Sequence, residues 1–349
     1  RICVIILQGG MDGLATVPPI GDPDLMRMRK AISPENYLPL NDFFGLHPAL
    51  KFYAQLMARG HASAVHATAF PYTKRSHFEG QNVIEGGGLS PFSEKTGWLG
   101  RSLDLAGVAG RSLSLDMPLI LRGHHDNDNF YPASIRGSGR PSSKLLEKIA
   151  MGHDIEAAQV FTKVARKSEE NIQVPRDPAS LAQYAGQAMA KANGPLASVI
   201  RVDDFDTHAN QVYQDNKDEG RLARQLGVVD EVIAGYRRGL GDAWDDTIIL
   251  TLTEFGRTVA VNGTLGTDHG YGSVGLLAGG TLVANGVVAD WPGLSKKDQF
   301  DQRDLMATID YRSVCAACVE KTLGLEHDVI ASQVFRQPDL PRVFDHLFA

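Results

Sequence analysis

"ICVIILQGGMDG" (Ile2–Gly13) sets six apolar residues in a row and then breaks into glycines and a carboxylate. A continuous, largely β-branched run of that length fits a strand covered on both faces, the environment of a parallel sheet. The same design recurs along the chain. "HPALKFYAQLMARG" (His47–Gly60) has apolar residues at helical spacing and a terminal glycine, and "ASAVHA" (Ala62–Ala67) reads as a second buried strand. Strand, long excursion, helix, strand implies a parallel crossover.

Further along, "GWLGRSLDLAG" (Gly97–Gly107) reads as a helix, "PLILRG" (Pro118–Gly123) as a strand, and residues 141–192 as a helix-rich stretch. "ASVIRV" (Ala197–Val202) is a strand, followed by a long helix over 218–238. "DTIILTLT" (Asp246–Thr253) is the clearest strand of all, "SVGLLAGG" (Ser273–Gly280) follows it, and a last helical segment spans 303–323. Alternating strands and helices make an α/β sandwich around a mostly parallel sheet. Without internal repeats or linkers, the expectation is one domain over 1–349 with a helical insertion around 141–192.

The bulk properties narrow the partners. At 349 residues and 43% hydrophobic, the chain can bury a large core, and a net charge of -6 with scattered Lys and Arg offers no footprint for nucleic acid. No apolar run approaches the roughly 18 residues a membrane span needs. The opening Arg1, with "ICVIIL" directly behind it, reads as a start trimmed of any export signal. Three cysteines cannot build a disulfide framework, and Cys315 and Cys318 in "VCAAC" read as small buried residues of a helix.

In open α/β sheets, sites form beyond the carboxyl ends of the strands. Asp12 follows the first strand. The loop after "ASAVHA" carries Lys74, Arg75, Ser76 and His77 just before a helix. Asp203, Asp204, Asp206 and His208 follow "ASVIRV", Glu254 and Arg257 follow "DTIILTLT", and Asp268 with His269 directly precede "YGSVGLLAGG". Carboxylates and imidazoles at successive strand ends are the donors a divalent cation wants: zinc foremost, with Mn, Mg, Ca or Fe as alternatives, and one or two ions. Ser76 is a candidate nucleophile. With Glu79 three residues on, it reads equally as the N-cap of a capping box, and the two roles are compatible. "RGHHDNDNFYP" (Arg122–Pro132) reads as a solvated turn.

The motifs "LQGGMDGLATVPP", "LNDFFGLHPAL", "RSHFEGQN", "GWLGR", "FDTHANQ", "TEFGRT", "GTDHGYG" and "DWPGL" resemble, in this order, those of the bacterial DUF1501 family. That family is often Tat-exported and related to the alkaline phosphatase and sulfatase superfamily. The resemblance implies an alkaline-phosphatase-like three-layer sandwich and a periplasmic or otherwise extracytoplasmic location. By resemblance, Asp12 falls where the superfamily's first metal-binding Asp stands, Ser76 where its nucleophile stands, and His269 where its late histidine ligand stands. Asp206 and His208 fall where an Asp and a His bind the other metal, and Asp204 with His208 matches the superfamily's Asp-x-x-x-His spacing. Where many members carry Asp-His-Gly after a strand, this chain has "TEFG". Glu254 stands for the Asp, and Phe255 cannot bind a metal.

The expected function is therefore metal-dependent hydrolysis of a small phosphate or sulfate ester, with Arg257 and Arg75 balancing charge on the transferred group. Two rivals are a catalytically inactive exported binding or envelope protein of the same fold, and a phosphosugar mutase or isomerase.

Overall fold

The computed structural model describes residues 1–113, 117–124, 126–129, 177–283, 286–342 and 348. Contacts divide the chain into Arg1–Phe130 with Pro178–Ala349, and Tyr131–Asp177. The insertion expected over 141–192 lies largely outside the described residues, and its last part forms the helix Pro178–Met189.

Among the described residues, a nine-stranded sheet has the Ile2–Leu7 strand near its middle. That strand pairs in parallel with Ala197–Val202 on one side and Ile248–Thr253 on the other, in register from Ile2 to Leu7. Gly110–Ser112 and Asp128–Asn129 extend the first side, also in parallel. On the second side Ser273–Ala278 runs antiparallel to both Ile248–Thr253 and Ala62–Ala69. Its start therefore lies at the sheet edge where its neighbours end. Gly286–Val288 and Ile309–Asp310 both pair in parallel with Ala62–Ala69.

The apolar run of the first strand is buried throughout because both its faces are covered. Ile2, Val4 and Ile6 join a core with Val83 and Ile84 of the helix His77–Gly86, Leu99 of Trp98–Ala106 and Val314 of Tyr311–Leu323. Cys3 points the opposite way, as strand alternation requires, and meets Met189 of Pro178–Met189. On that second face Ser198 contacts Tyr236 of the long helix Arg221–Leu240. The result is an α/β sandwich with a mostly parallel sheet and helices on both faces.

Two elements differ from the sequence reading. "PLILRG" is a short 3-10 turn at Leu119–Leu121 rather than a strand. A brief apolar run has no period that separates the two. The final helix starts at Tyr311, not near 303, because Ile309 and Asp310 pair with the Ala62–Ala69 strand and the Asp310 carboxylate caps the helix by accepting from Arg312 N. Cys315 and Cys318 lie buried within this helix, and Cys3 is likewise buried. Of "RGHHDNDNFYP", residues 125 and 130–132 lie outside the described residues, and Asp128 pairs with Arg111 at 2.8 Å. No described helix is long and apolar enough to cross a membrane.

Candidate metal centre

The carboxyl ends of the parallel strands and the start of Ser273–Ala278 meet at one edge, and three histidines converge there. His77 opens the helix after the Ala62–Ala69 strand. His208 follows Ala197–Val202. His269 is brought to Arg257 by an antiparallel bridge, so the segments on either side of the glycine-rich turn close on each other. Gly256 allows this approach: a Cβ there would lie 1.9 Å from Gly272 O.

Each imidazole is oriented from behind through Nδ1. His77 Nδ1 lies 2.7 Å from Glu254 Oε1, His269 Nδ1 lies 3.0 Å from Arg75 O, and His208 Nδ1 lies 3.1 Å from Asp268 Oδ1. A carbonyl or a carboxylate can only accept, so each Nδ1 donates and each Nε2 is turned forward, where a neutral ring presents a lone pair. Those lone pairs face one another. His269 Nε2 is 2.9 Å from His77 Nε2 and 2.9 Å from His208 Nε2.

Asp206 completes the group. Its Oδ1 lies 3.1 Å from His208 Nε2 and 3.2 Å from His269 Nε2, and its Oδ2 lies 3.5 Å from His77 Nε2. Two donors on one tetrahedral zinc, each at roughly 2.0–2.1 Å, would stand about 3.3 Å apart. The donor set thus fits a cation held by His77, Asp206 and His269, whose ligand atoms lie within 4.8 Å of one another, with His208 adjoining. Orienting partners behind ligating histidines are a regular part of metal sites.

Electrostatics follow the same layout. The hydrogen bond that His77 donates to Glu254 raises the His77 pKa, and burial only partly counters it. Burial lowers that of His269, with the charges of His77 and Arg257 acting in the same direction. For Asp206, burial works against ionisation, but the hydrogen bond and charge of Arg257 prevail and hold the carboxyl below its ordinary range.

Not every strand-end residue joins the group. Asp12 is fully buried, caps the turn Gly13–Thr16 by accepting from Ala15 N, and pairs with the Arg29 guanidinium. Gln211 Nε2 donates to its other oxygen at 2.6 Å. The protein's own donors fill the acceptors of Asp12, and it stands apart from the converging histidines. Asp204 is exposed with a φ of 69° and stands outside the group, so Asp206, not the better-spaced Asp204, partners His208. Glu254 and Asp268 stand one layer back, behind His77 and His208.

The two arginines are both engaged by carboxylates of the protein. Arg257 is buried and spends its guanidinium on Asp206 Oδ1 at 2.7 Å, on Gly9 O and on Thr267. Those contacts hold the Asp206 carboxylate. Gly9 makes this packing possible, since with φ of 120° a Cβ there would lie 2.3 Å from Asp206 N. Arg75 directs its guanidinium at Asp304 and Asp301. Ser76 occupies the N-cap position, yet its side chain makes no capping bond, and Glu79 bonds the Tyr72 hydroxyl at 2.9 Å, so the capping box does not form. The buried Phe255 ring packs beside the histidines, 4.9 Å from both the His77 and His269 rings.

His77 joins the converging group although the sequence-derived ligand set lacks it, and its signal in the sequence is its position after a strand, next to Ser76.

Residues 147–317 match the model of a family described as protein of unknown function DUF1501. No curated protein sequence matches the chain. Among solved structures, Ps i-CgsB in complex with k-i-k-neocarrahexaose aligns with a TM-score of 0.46 and 11% identity, covering 93% of this chain and 72% of that one. The zinc complex of the C-terminal periplasmic domain of EcEptC from Escherichia coli gives 0.40 and 9%, covering 79% and 72%. Alkaline phosphatase from the Antarctic bacterium TAB5 gives 0.35 and 10%, covering 82% and 94%. The stretch that matches this family model holds Asp206, His208, Glu254 and His269.

Proposed function

We propose that this protein is a metal-dependent hydrolase of phosphate or sulfate esters. The observation that carries the reading is the meeting of three Nε2 lone pairs around His269, with Asp206 beside them. Neutral imidazoles whose Nε2 lone pairs meet repel one another, and a divalent cation set between them and the Asp206 carboxylate would relieve that repulsion. The nitrogen-rich donor set favours zinc, or another transition ion, over Mg and Ca, which prefer oxygen shells.

His77, His208, His269 and Asp206 would hold the ion. When bound, it would polarise an ester oxygen and favour ionisation of a nearby hydroxyl. Ser76 adjoins His77, and its side chain is not committed to capping, which supports it as the nucleophile toward phosphorus or sulfur. The alcohol then leaves, and water releases the acid from Ser76. Glu254, Asp268 and the Arg75 carbonyl hold the rings, and Arg257 holds Asp206, so the donors need no reorganisation.

Elemental analysis of the purified protein, followed by a panel of phosphate monoesters, diesters and sulfates, tests this. The expected result is stoichiometric zinc and turnover of at least one class. Protein that takes up no metal and turns over none of the panel overturns the reading. Full activity in Ser76→Ala would remove the covalent step while leaving hydrolysis intact.

A further inference from the structure

The peptide that orients His269 is itself braced. Arg75 accepts the His269 Nδ1 proton on its carbonyl, and it does so with a φ of 60°, in the left-handed region that non-glycine residues seldom adopt. The support comes from a distant segment. Phe300 and Asp304 exchange backbone hydrogen bonds of 2.9 Å each way and close a three-residue turn, in which Asp301 and Gln302 both have a φ of 53°. This hairpin docks on the site loop: Thr258 bridges Asp304, and Val259 N donates to Arg303 O at 3.1 Å.

From that platform the buried Asp304 Oδ2 accepts from Arg75 Nε at 2.8 Å and from Nη2 at 2.6 Å. Asp301 takes Nη2 at 2.9 Å, and the guanidinium lies 5.9 Å from the centre of the Phe300 ring. Both ends of Arg75 are therefore committed: its side chain to the hairpin, its carbonyl to His269. Arg75 also stands two residues before His77, so one clamp bears on two of the converging rings.

We propose that Asp304 is a positioning residue for the metal centre. By fixing the Arg75 side chain, it keeps the Arg75 carbonyl against His269, and that contact selects the tautomer whose Nε2 lone pair faces His77, His208 and Asp206. The ion pair is formed by the same residue whose carbonyl accepts from the central imidazole. The purpose rests on the metal-hydrolase reading, but the test does not depend on it.

The experiment compares wild type with Asp304→Asn, Arg75→Met, the double variant and Asp301→Asn as a control. In metal-free protein, imidazole ¹⁵N NMR is expected to find His269 as the Nδ1–H tautomer in wild type and in Asp301→Asn, and as a mixture in the other three. Zinc affinity, read by chelator competition on protein whose thermal melt shows it folded, is expected to drop by about 10–100-fold in each of Asp304→Asn and Arg75→Met. The double variant should lose no more than either alone. A folded Asp304→Asn with wild-type tautomer and affinity overturns the proposal. Should that variant not fold, Arg75→Met breaks the same contact from its more exposed side and decides. Should wild type bind no zinc, the hydrolase reading falls, and the tautomer measurement still decides the clamp.

Discussion

Asp12 and Asp206 each follow a parallel strand at the same edge of the sheet, and they have opposite surroundings. Asp12 is buried with Arg29, and the Ala15 amide and Gln211 fill its remaining acceptor positions. Asp206 is partly open, and it faces imidazole nitrogens that are themselves acceptors. Arg257 holds one side of Asp206 as Arg29 holds Asp12, but the rest of the Asp206 carboxylate turns toward imidazole nitrogens rather than toward further donors of the fold. Position at a strand end marks where a site can form. The partners decide whether it is closed or open.

The sharpest way to break this contrast is to remove the residue on which the open site converges. His269→Ala should abolish stoichiometric zinc uptake, measured by elemental analysis after gel filtration, because His269 Nε2 neighbours every other donor. Next comes the closed site. Arg29→Met leaves a buried carboxylate without its cation and should cost about 3–5 kcal/mol of unfolding free energy in denaturant titration. Zinc binding by the folded fraction should stay at the wild-type level. Loss of zinc affinity in that variant would make Asp12 part of the metal site after all.

How much of this could be read from the chain follows from the same pair. The strands were legible because buried runs such as "IILTL" have few other homes, and the strand-end rule then gathered Asp206, His208, Glu254 and His269. The partnership of Asp12 with Arg29 was not legible, because Arg29 looks like any helix arginine until the fold turns it inward. His77 carries little signal of its own, since the carboxylate that orients it, Glu254, is 177 residues away. Phe255 stands where a ligand is expected, and a ring packed beside two histidines has the same sequence signature as one that replaces a third.

Glu254→Gln probes the layer behind the open site. Zinc affinity at neutral pH should fall by about 10–100-fold, because Gln keeps an acceptor but loses the charge that holds His77. The pH profile gives a second, opposite reading. Zinc requires neutral His77, and Glu254 raises the His77 pKa above its ordinary 6.5, so in wild type protons compete from a higher pH. In Glu254→Gln that competition should begin at lower pH. In metal-free wild type the same shift makes protonated His77 stabilising. That contribution is complete below the ordinary value and is lost as pH rises through the raised one.

The smallest effect is expected at Asp268. It plays the same part for His208 that Glu254 plays for His77, at 3.1 Å against 2.7 Å, but Glu254 is fully buried while the Asp268 side chain is 52% exposed. Water competes for an exposed carboxylate and screens its charge, so such pairs contribute no more than about 1 kcal/mol. Asp268→Asn should therefore weaken zinc binding by less than about fivefold, as measured by the same chelator competition. A loss as large as that in Glu254→Gln would show that His208 is as tightly bound to the ion as His77, and that the exposed side of the site closes when the metal enters.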